Sequence, residues 1–314
     1  MMYKNKLIFL LSIIGAMVLL FTGSFIFTSE RSNNRSSSYT WLDKNQSLNV
    51  NRIVIDENNQ VIEFIDKDQK WVILTDGVEF PARQLRIEDF INIFTQRSLW
   101  PVRSNSASTH ASFGLESTEA DRITFYNGNT AVLDVLIGYD STFGSEVSIR
   151  RFAQNEVRSG DNRIRTYISS PVSSWFDLKL FPEENGKIWS ADSVQQLTVI
   201  NDAGERQIFS QNNRTWTVTN ASNPDNANIE SYIRTVLNTE GETFLGLISN
   251  HEDFPLSARI IVEFGNGNIE TVSFSEPNDS GYRLAVVNGR EYVYYIPAWS
   301  GNRLFRDTSS FELQ

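Results

Sequence analysis

The sequence predicts an α+β protein: an N-terminal transmembrane helix, then two tandem copies of a module with antiparallel β-meanders and one amphipathic helix. Three observations lead there. Residues 7–27, LIFLLSIIGAMVLLFTGSFIF, carry no charge. Much of the remainder alternates apolar and polar residues with period 2 between turn residues, the mark of half-buried strands. The order of these segments also recurs, with Trp71 and Trp216 at the same place in it.

The apolar run comes first. At 1.5 Å rise per residue it makes about 31 Å of helix, close to the ~30 Å of a bilayer hydrocarbon core. Lys4 and Lys6 precede it, so residues 1–6 are expected as a cytoplasmic tail, against the pull of Arg31 and Arg35 on the far side. A cleaved signal peptide is the rival reading. Its apolar region would span about 7–15 residues before a small-residue cleavage site, and this run is longer and offers only Thr22-Gly23-Ser24. Residues 28–47 read as a polar linker that opens with TSERSNNRSSS. No second long apolar run follows. The expected location is therefore a single-pass cell-membrane protein with its C-terminal region extracytoplasmic, on the periplasmic or cell-surface side.

The modules are expected at residues 48–182 and 189–308. In the first, Arg52-Ile53-Val54-Ile55, residues 61–65 and Trp71-Val72-Ile73-Leu74 form a three-stranded meander; in the second, Leu197-Thr198-Val199-Ile200, Gln207-Ile208-Phe209 and Trp216-Thr217-Val218 repeat it. An amphipathic helix follows each. Ile87, Phe90, Ile91 and Phe94 fall at i, i+3, i+4 and i+7; Ile229, Tyr232, Ile233, Val236 and Leu237 give the same face, with Asp225 or Asn226 as N-cap. Four more strands come next, with hairpin turns at Asn127-Gly128 and Asn266-Gly267, where a type I′ turn needs positive φ. The last strands are placed at Arg165-Thr166-Tyr167-Ile168 and Tyr292-Val293-Tyr294-Tyr295-Ile296.

These residues carry a resemblance. The Trp71 strand, the helix after Ala82, Phe113-Gly114-Leu115-Glu116, Arg122-Ile123 leading to Asn127-Gly128-Asn129, Ile137-Gly138, and Tyr167-Ile168 before Trp175-Phe176-Asp177 resemble the bacterial domain of unknown function 4340 family. The second module departs from the pattern. His251-Glu252-Asp253-Phe254-Pro255-Leu256 replaces the Phe-Gly-Leu element, and Phe274-Ser275 stands where Ile137-Gly138 would. The resemblance implies a membrane-anchored extracytoplasmic component associated with gliding-motility-type ABC transporter subunits. It brings no catalytic residues.

Composition excludes several chemistries. With no cysteine there is no disulfide, thiolate metal site, cysteine nucleophile or lipidated cysteine. A net charge of −10 argues against a general nucleic-acid binder. No G-x-S-x-G elbow, P-loop or H-E-x-x-H motif occurs. His110, within Ser108-Thr109-His110-Ala111-Ser112, is the best neighbourhood for a nucleophile and base, set against a solvated loop histidine. His251-Glu252-Asp253 offers metal-ligand types, but adjacent residues do not converge on one helical face. Asp66 and Asp68 share a strand face at i, i+2 and could hold a cation, set against edge carboxylates beside Lys67 and Lys70. Arg150, Arg151, Arg158, Arg163 and Arg165, interleaved with Glu146, Glu156 and Asp161, read as a solvated strand face.

Trp71 and Trp216, at matching positions, read as core residues. Trp100, Trp175 and Trp299 lie near element ends and are the candidates for partner binding, Trp299 first. No catalytic residue, metal ligand or cofactor is expected. The expected function is a non-enzymatic accessory or scaffolding subunit of an envelope ABC transport system. The alternative is an extracytoplasmic binding module for an envelope glycan or peptide.

Overall fold

The computed structural model describes residues 38–57, 60–75, 77–140, 144–181, 189–250 and 255–313. The apolar run 7–27 lies outside the described residues, among which no helix is long and apolar enough to cross a membrane. The protein is mixed α and β, with strands predominating, and its two antiparallel sheets lie in separate compact units that divide between Pro171 and Val172. The sequence reading ends its first module at 182. Instead, the buried side chains of Leu178, Leu180 and Phe181 belong to the second unit. There the Leu180 N–H donates to the Thr239 carbonyl at 3.1 Å, and the Gly241 N–H to the Leu178 carbonyl at 2.9 Å.

In the first unit a short helix, α1 (Lys44–Ser47), precedes the meander of β1 (Arg52–Glu57), β2 (Gln60–Lys67), β3 (Lys70–Thr75) and β4 (Val78–Pro81). Helix α2 (Gln84–Thr95) follows, then β5 (Val102–Ser104), β6 (Asp121–Asn127), β7 (Thr130–Asp140), β8 (Glu146–Arg151), β9 (Val157–Asp161) and helix α3 (Arg163–Ile168). The sheet order is β4-β3-β2-β1-β6-β7-β8-β9-β5. In the second unit β10 (Val194–Ile200), β11 (Arg206–Asn212) and β12 (Thr215–Val218) precede helix α4 (Asn226–Leu237). They are followed by β13 (Thr243–Leu247), β14 (Leu256–Phe264), β15 (Ile269–Ser275), β16 (Arg283–Val287), β17 (Tyr292–Ile296) and helix α5 (Ala298–Leu304). Its order, β12-β11-β10-β14-β15-β16-β17-β13, is that of the first sheet with β4 left out.

Each long helix lays its apolar stripe on one sheet face. In α4 the five expected residues, Ile229, Tyr232, Ile233, Val236 and Leu237, are all buried, and Asp225 caps the helix by accepting from the N–H groups of Ala227 and Asn228. In α2 the stripe is Ile87, Phe90, Ile93 and Phe94, so Ile93 replaces Ile91 on the inner face. Phe90 and Phe94 meet Phe125 of β6 with ring centres 5.9 and 4.9 Å apart.

A shared device ties helix to sheet. The first residue of each helix presents a side-chain amide to the tryptophan on the third strand of its meander, β3 in the first unit and β12 in the second. Gln84 accepts the Trp71 N–H at 2.9 Å and donates to the Trp71 and Ala82 carbonyls at 3.1 and 2.8 Å. Asn226 accepts the Trp216 N–H at 2.5 Å. Tryptophan in the strand and amide at the helix start are thus one joint, bonded through the tryptophan's backbone.

Two local readings need correction. Residues 165–168 are helix, not strand. The Asp161 carboxylate accepts the Arg163 N–H at 2.9 Å, which turns the chain, and Ile164 and Ile168 then bury one face at i, i+4. The same residues read as alternating because Ile164, Thr166 and Ile168 also fall at period 2. The Asn-Gly hairpins are also not type I′. Only Gly128 has positive φ in the turn after β6, and the turn after β14 is longer, closed by the Phe264 N–H to the Asn268 carbonyl. The I′ pattern of two successive positive φ values occurs instead at Asp68-Gln69 (+54°, +67°) and Asn213-Arg214 (+49°, +64°), at the same hairpin of each meander.

Asn226→Ala tests the joint. It removes the acceptor of the Trp216 N–H and should destabilise the second unit by about 1–3 kcal/mol, even though alanine is the better helix former. Urea unfolding followed by circular dichroism measures this, and an unchanged midpoint would show that the joint contributes nothing.

Candidate functional site

Two of the family-like elements, Phe113-Gly114-Leu115 and Ile137-Gly138, meet at the sheet face opposite α2. Leu136, Arg150 and Val157 are cross-strand neighbours on β7, β8 and β9. Leu115 packs on Leu136 and Val157, with Phe113 and Ala120 beside them. Residues 107–116, wound in short 3-10 turns, therefore cover this face as a flap. The buried Arg150 guanidinium fastens it, donating to the carbonyls of Leu115 at 3.0 Å, Phe152 at 2.8 Å and Gln154 at 3.2 Å. Burial pulls this guanidinium below its usual value. Gly138 is needed here for space, because a Cβ on it would stand 2.1 Å from the Phe113 carbonyl oxygen. Beside the flap, Arg165 bonds Asp121 and the Gly138 carbonyl, within a cavity of about 340 Å³.

A larger groove, about 730 Å³, lies in the second unit. Ser231, Arg234, Thr235 and Asn238 form one wall on the C-terminal half of α4; residues 239–242 form the floor; Tyr282 and the start of α5, with Pro297, Trp299, Ser300 and Arg303, form the other wall. Trp299 is 62% exposed, and the Arg303 guanidinium, one helical turn on, stands 5.2 Å from its ring centre. The walls are braced from behind. Tyr282 stacks on Tyr295 with ring centres 4.6 Å apart, and Asn278 accepts the Ser280 and Tyr282 N–H groups to fold the loop between β15 and β16. Gly281 in that loop has φ +81°, and a Cβ there would stand 2.9 Å from the Ala298 Cβ. The loop is thus seated directly against the start of α5. The floor is fixed by backbone bonds: Glu242 N–H to Tyr295 carbonyl at 2.8 Å, and the Leu178 and Leu180 links already given.

Among the three tryptophans singled out from sequence, Trp299 is exposed as expected and lines this groove. Trp175 is not exposed at all; it ends a 3-10 turn, Val172–Trp175, and is buried in the core of the second unit. Trp100 is half-buried, and its carbonyl accepts from Arg158 at 3.1 Å. His110 is not a solvated loop histidine. It is 9% exposed between two 3-10 turns, with Nε2 3.1 Å from the Asn155 carbonyl oxygen, and so helps hold the flap. Asp66 and Asp68 do not share a face, since β2 ends at Lys67 and Asp68 turns back in the hairpin. Lys67 pairs with Glu79 at 2.5 Å. His251-Glu252-Asp253 lies outside the described residues. The arginine-rich stretch is not a free solvated face. Arg150 holds the flap, Arg151 donates to the Trp41 carbonyl, Arg158 pairs with Glu156, Arg163 with Asp161 and Arg165 with Asp121.

Sequence reasoning missed the rest of the groove. Arg303 carried one available signal, its i+4 spacing from Trp299. Ser231, Thr235 and Asn238 form the polar complement of the α4 stripe, which periodicity reads only as a solvated face. Tyr282 carried none, because its place depends on a loop conformation.

The model of the family described as Domain of unknown function (DUF4340) matches residues 71–253. No curated protein and no solved structure matches the chain.

Below the groove floor, burial pushes the Asp177 carboxyl above its ordinary 3.8. Below pH about 3.8 the group is protonated in both the folded and unfolded chain and carries no penalty. As pH rises through the folded value it ionises in a buried place, and stability is lost. Asp177→Asn keeps an acceptor for the Lys179 N–H without the charge. It should raise the melting temperature of the second unit at pH 7, with the gain vanishing toward pH 3. Thermal unfolding across that range checks the sign, and a loss of stability at pH 7 would refute it.

Proposed function

The chain belongs to the DUF4340 family, and from that premise we propose a membrane-anchored, extracytoplasmic accessory or scaffolding subunit of an envelope ABC transport system, without catalysis of its own. The observation that carries this reading is the uncharged run 7–27, long enough to span a bilayer, ahead of a polar linker and two sheet-based units. On this reading residues 1–6 are the cytoplasmic tail, 7–27 the anchor and 28–47 the tether, and the units that follow work outside the membrane.

The shared strand order, the paired tryptophan–amide joints and the matching I′ hairpins support treating the two units as copies of one module. In the first unit Arg150, Arg151, Arg158, Arg163 and Arg165 are all engaged within the unit rather than offered to a ligand, which suits a scaffold. A second reading, an extracytoplasmic ligand-binding module, draws on the groove beside Trp299, whose volume falls in the range of about 300–1,000 Å³ usual for small-molecule sites.

Affinity purification of the protein from native membranes should recover an ABC-type ATPase and permease in fixed proportion. A protein that is reproducibly solitary would overturn the scaffold reading. Thermal-shift screening against envelope fractions separates the two readings, because saturable stabilisation is expected of a ligand-binding module and not of a scaffold.

A further inference from the structure

The groove beside Trp299 has a chemistry more particular than its volume. Its aromatic platform is exposed, with the Arg303 guanidinium over the ring. Along α4, Ser231, Thr235 and Asn238 bring hydroxyl and amide groups to one wall. Asn238 donates through Nδ2 to the Arg234 carbonyl at 2.8 Å, which turns that amide's orientation into a fixed one. Two cations, Arg234 and Arg303, face two carboxylates, Glu240 and Glu242, so the formal charge of the lining balances. An ionic ligand of either sign gains no net attraction from such a lining.

The floor narrows the choice further. A peptide main chain is held by backbone N–H and C=O groups that an edge or loop leaves open. Here half of the backbone groups of residues 239–242 are already engaged, which leaves less of the floor to a peptide main chain: Thr239 N–H donates to Val236 and its C=O accepts from Leu180, Gly241 N–H donates to Leu178 and Glu242 N–H donates to Tyr295. What the groove offers a ligand is side-chain hydroxyl, amide, carboxylate and guanidinium around one aromatic ring. That set matches a molecule with an apolar C–H face and many hydroxyls. Planar carboxylate and guanidinium groups take adjacent hydroxyls two at a time, while the indole packs against the C–H face of a sugar ring.

Resting on the ligand-binding reading, we propose that this groove binds an uncharged oligosaccharide, with Trp299 as the stacking platform and Asn238, Glu242 and Arg303 as the hydroxyl-reading groups. The walls are preformed, braced by the Tyr282–Tyr295 stack and the Gly281 contact, so little ordering is needed on binding.

The test is isothermal titration of the full-length protein in nanodiscs with a panel of neutral hexose and N-acetylhexosamine oligomers of three to six units. Uronic-acid oligomers and a mixed peptide library are titrated in parallel. At least one neutral oligomer should bind saturably. Trp299→Ala should weaken it tenfold or more at an unchanged melting temperature, and Trp299→Phe should recover part of the loss. Binding of neutral oligomers that is indifferent to Trp299→Ala would overturn the site. Binding of uronic-acid oligomers in place of neutral ones would overturn the uncharged assignment, binding of peptides would overturn the saccharide assignment, and either would leave the ligand-binding reading standing. No binding by any panel would overturn both.

Discussion

Everything in each unit answers to a mismatch of area. Nine strands spaced at about 4.8 Å make a sheet about 38 Å wide. The one long helix laid on it has 12 residues, about 18 Å long and 10–12 Å across. Whichever way that helix lies, more than half of the apolar sheet face is left to be covered by something else. The rest of the chain is the set of solutions to that problem.

In the first unit the inner face is completed by α3, whose Tyr167 ring packs 5.4 Å from Phe90, and by the segment carrying the buried Trp41 and Leu42, with the Leu42 N–H on the Phe94 carbonyl. The outer face at β7–β9 is closed by the flap, which is too short to bring its own core. It is therefore held by polar groups, Arg150 beneath it and His110 within it, which bind carbonyls of the flap and of the loop after β8. A buried guanidinium bonded to carbonyls is a costly fastener, and its place explains why a basic stretch in the sequence yields no basic surface. In the second unit α5 and the C-terminal turn supply the missing cover. Phe311 meets Phe209 and Tyr232 with ring centres about 5 Å away, and the Tyr232 hydroxyl donates to the Leu304 carbonyl.

This division explains what could be read from the sequence. Where periodicity and burial coincide, as in α4, every inner residue and the Asp225 cap were legible. Where a segment satisfies two periods at once, as at Ile164, Thr166 and Ile168, only the Asp161 turn decides between strand and helix, and that bond depends on three dimensions. The flap residues were legible as a motif but not as a cover, since Gly138 and Phe113 are brought together by strand pairing. Trp175 illustrates the same limit. Its position near an element end suggested exposure, yet the segment from residue 172 onward packs into the second unit and buries it. For the groove, the sequence supplied Trp299 alone.

The groove is itself a product of the area mismatch. Helix α4 follows β12 and α5 follows β17, so the two helices approach the groove from different strands. Between them the chain runs through residues 239–242, whose backbone is drawn into bonds with β17 and the 178–180 segment. The floor is thereby closed while the helix ends, which carry Asn238 and Trp299, stay apart. A longer α4 would fill the gap with apolar cover and leave an ordinary core. Because it stops at Leu237 and the cover resumes only at Ala298, a preformed depression persists with polar walls, a floor bonded to β17 and the 178–180 segment, and one exposed indole. Such a depression is neither needed for stability nor cheap to keep hydrated beside a 62%-exposed tryptophan. That combination makes it the place on the second unit where binding has the firmest physical warrant.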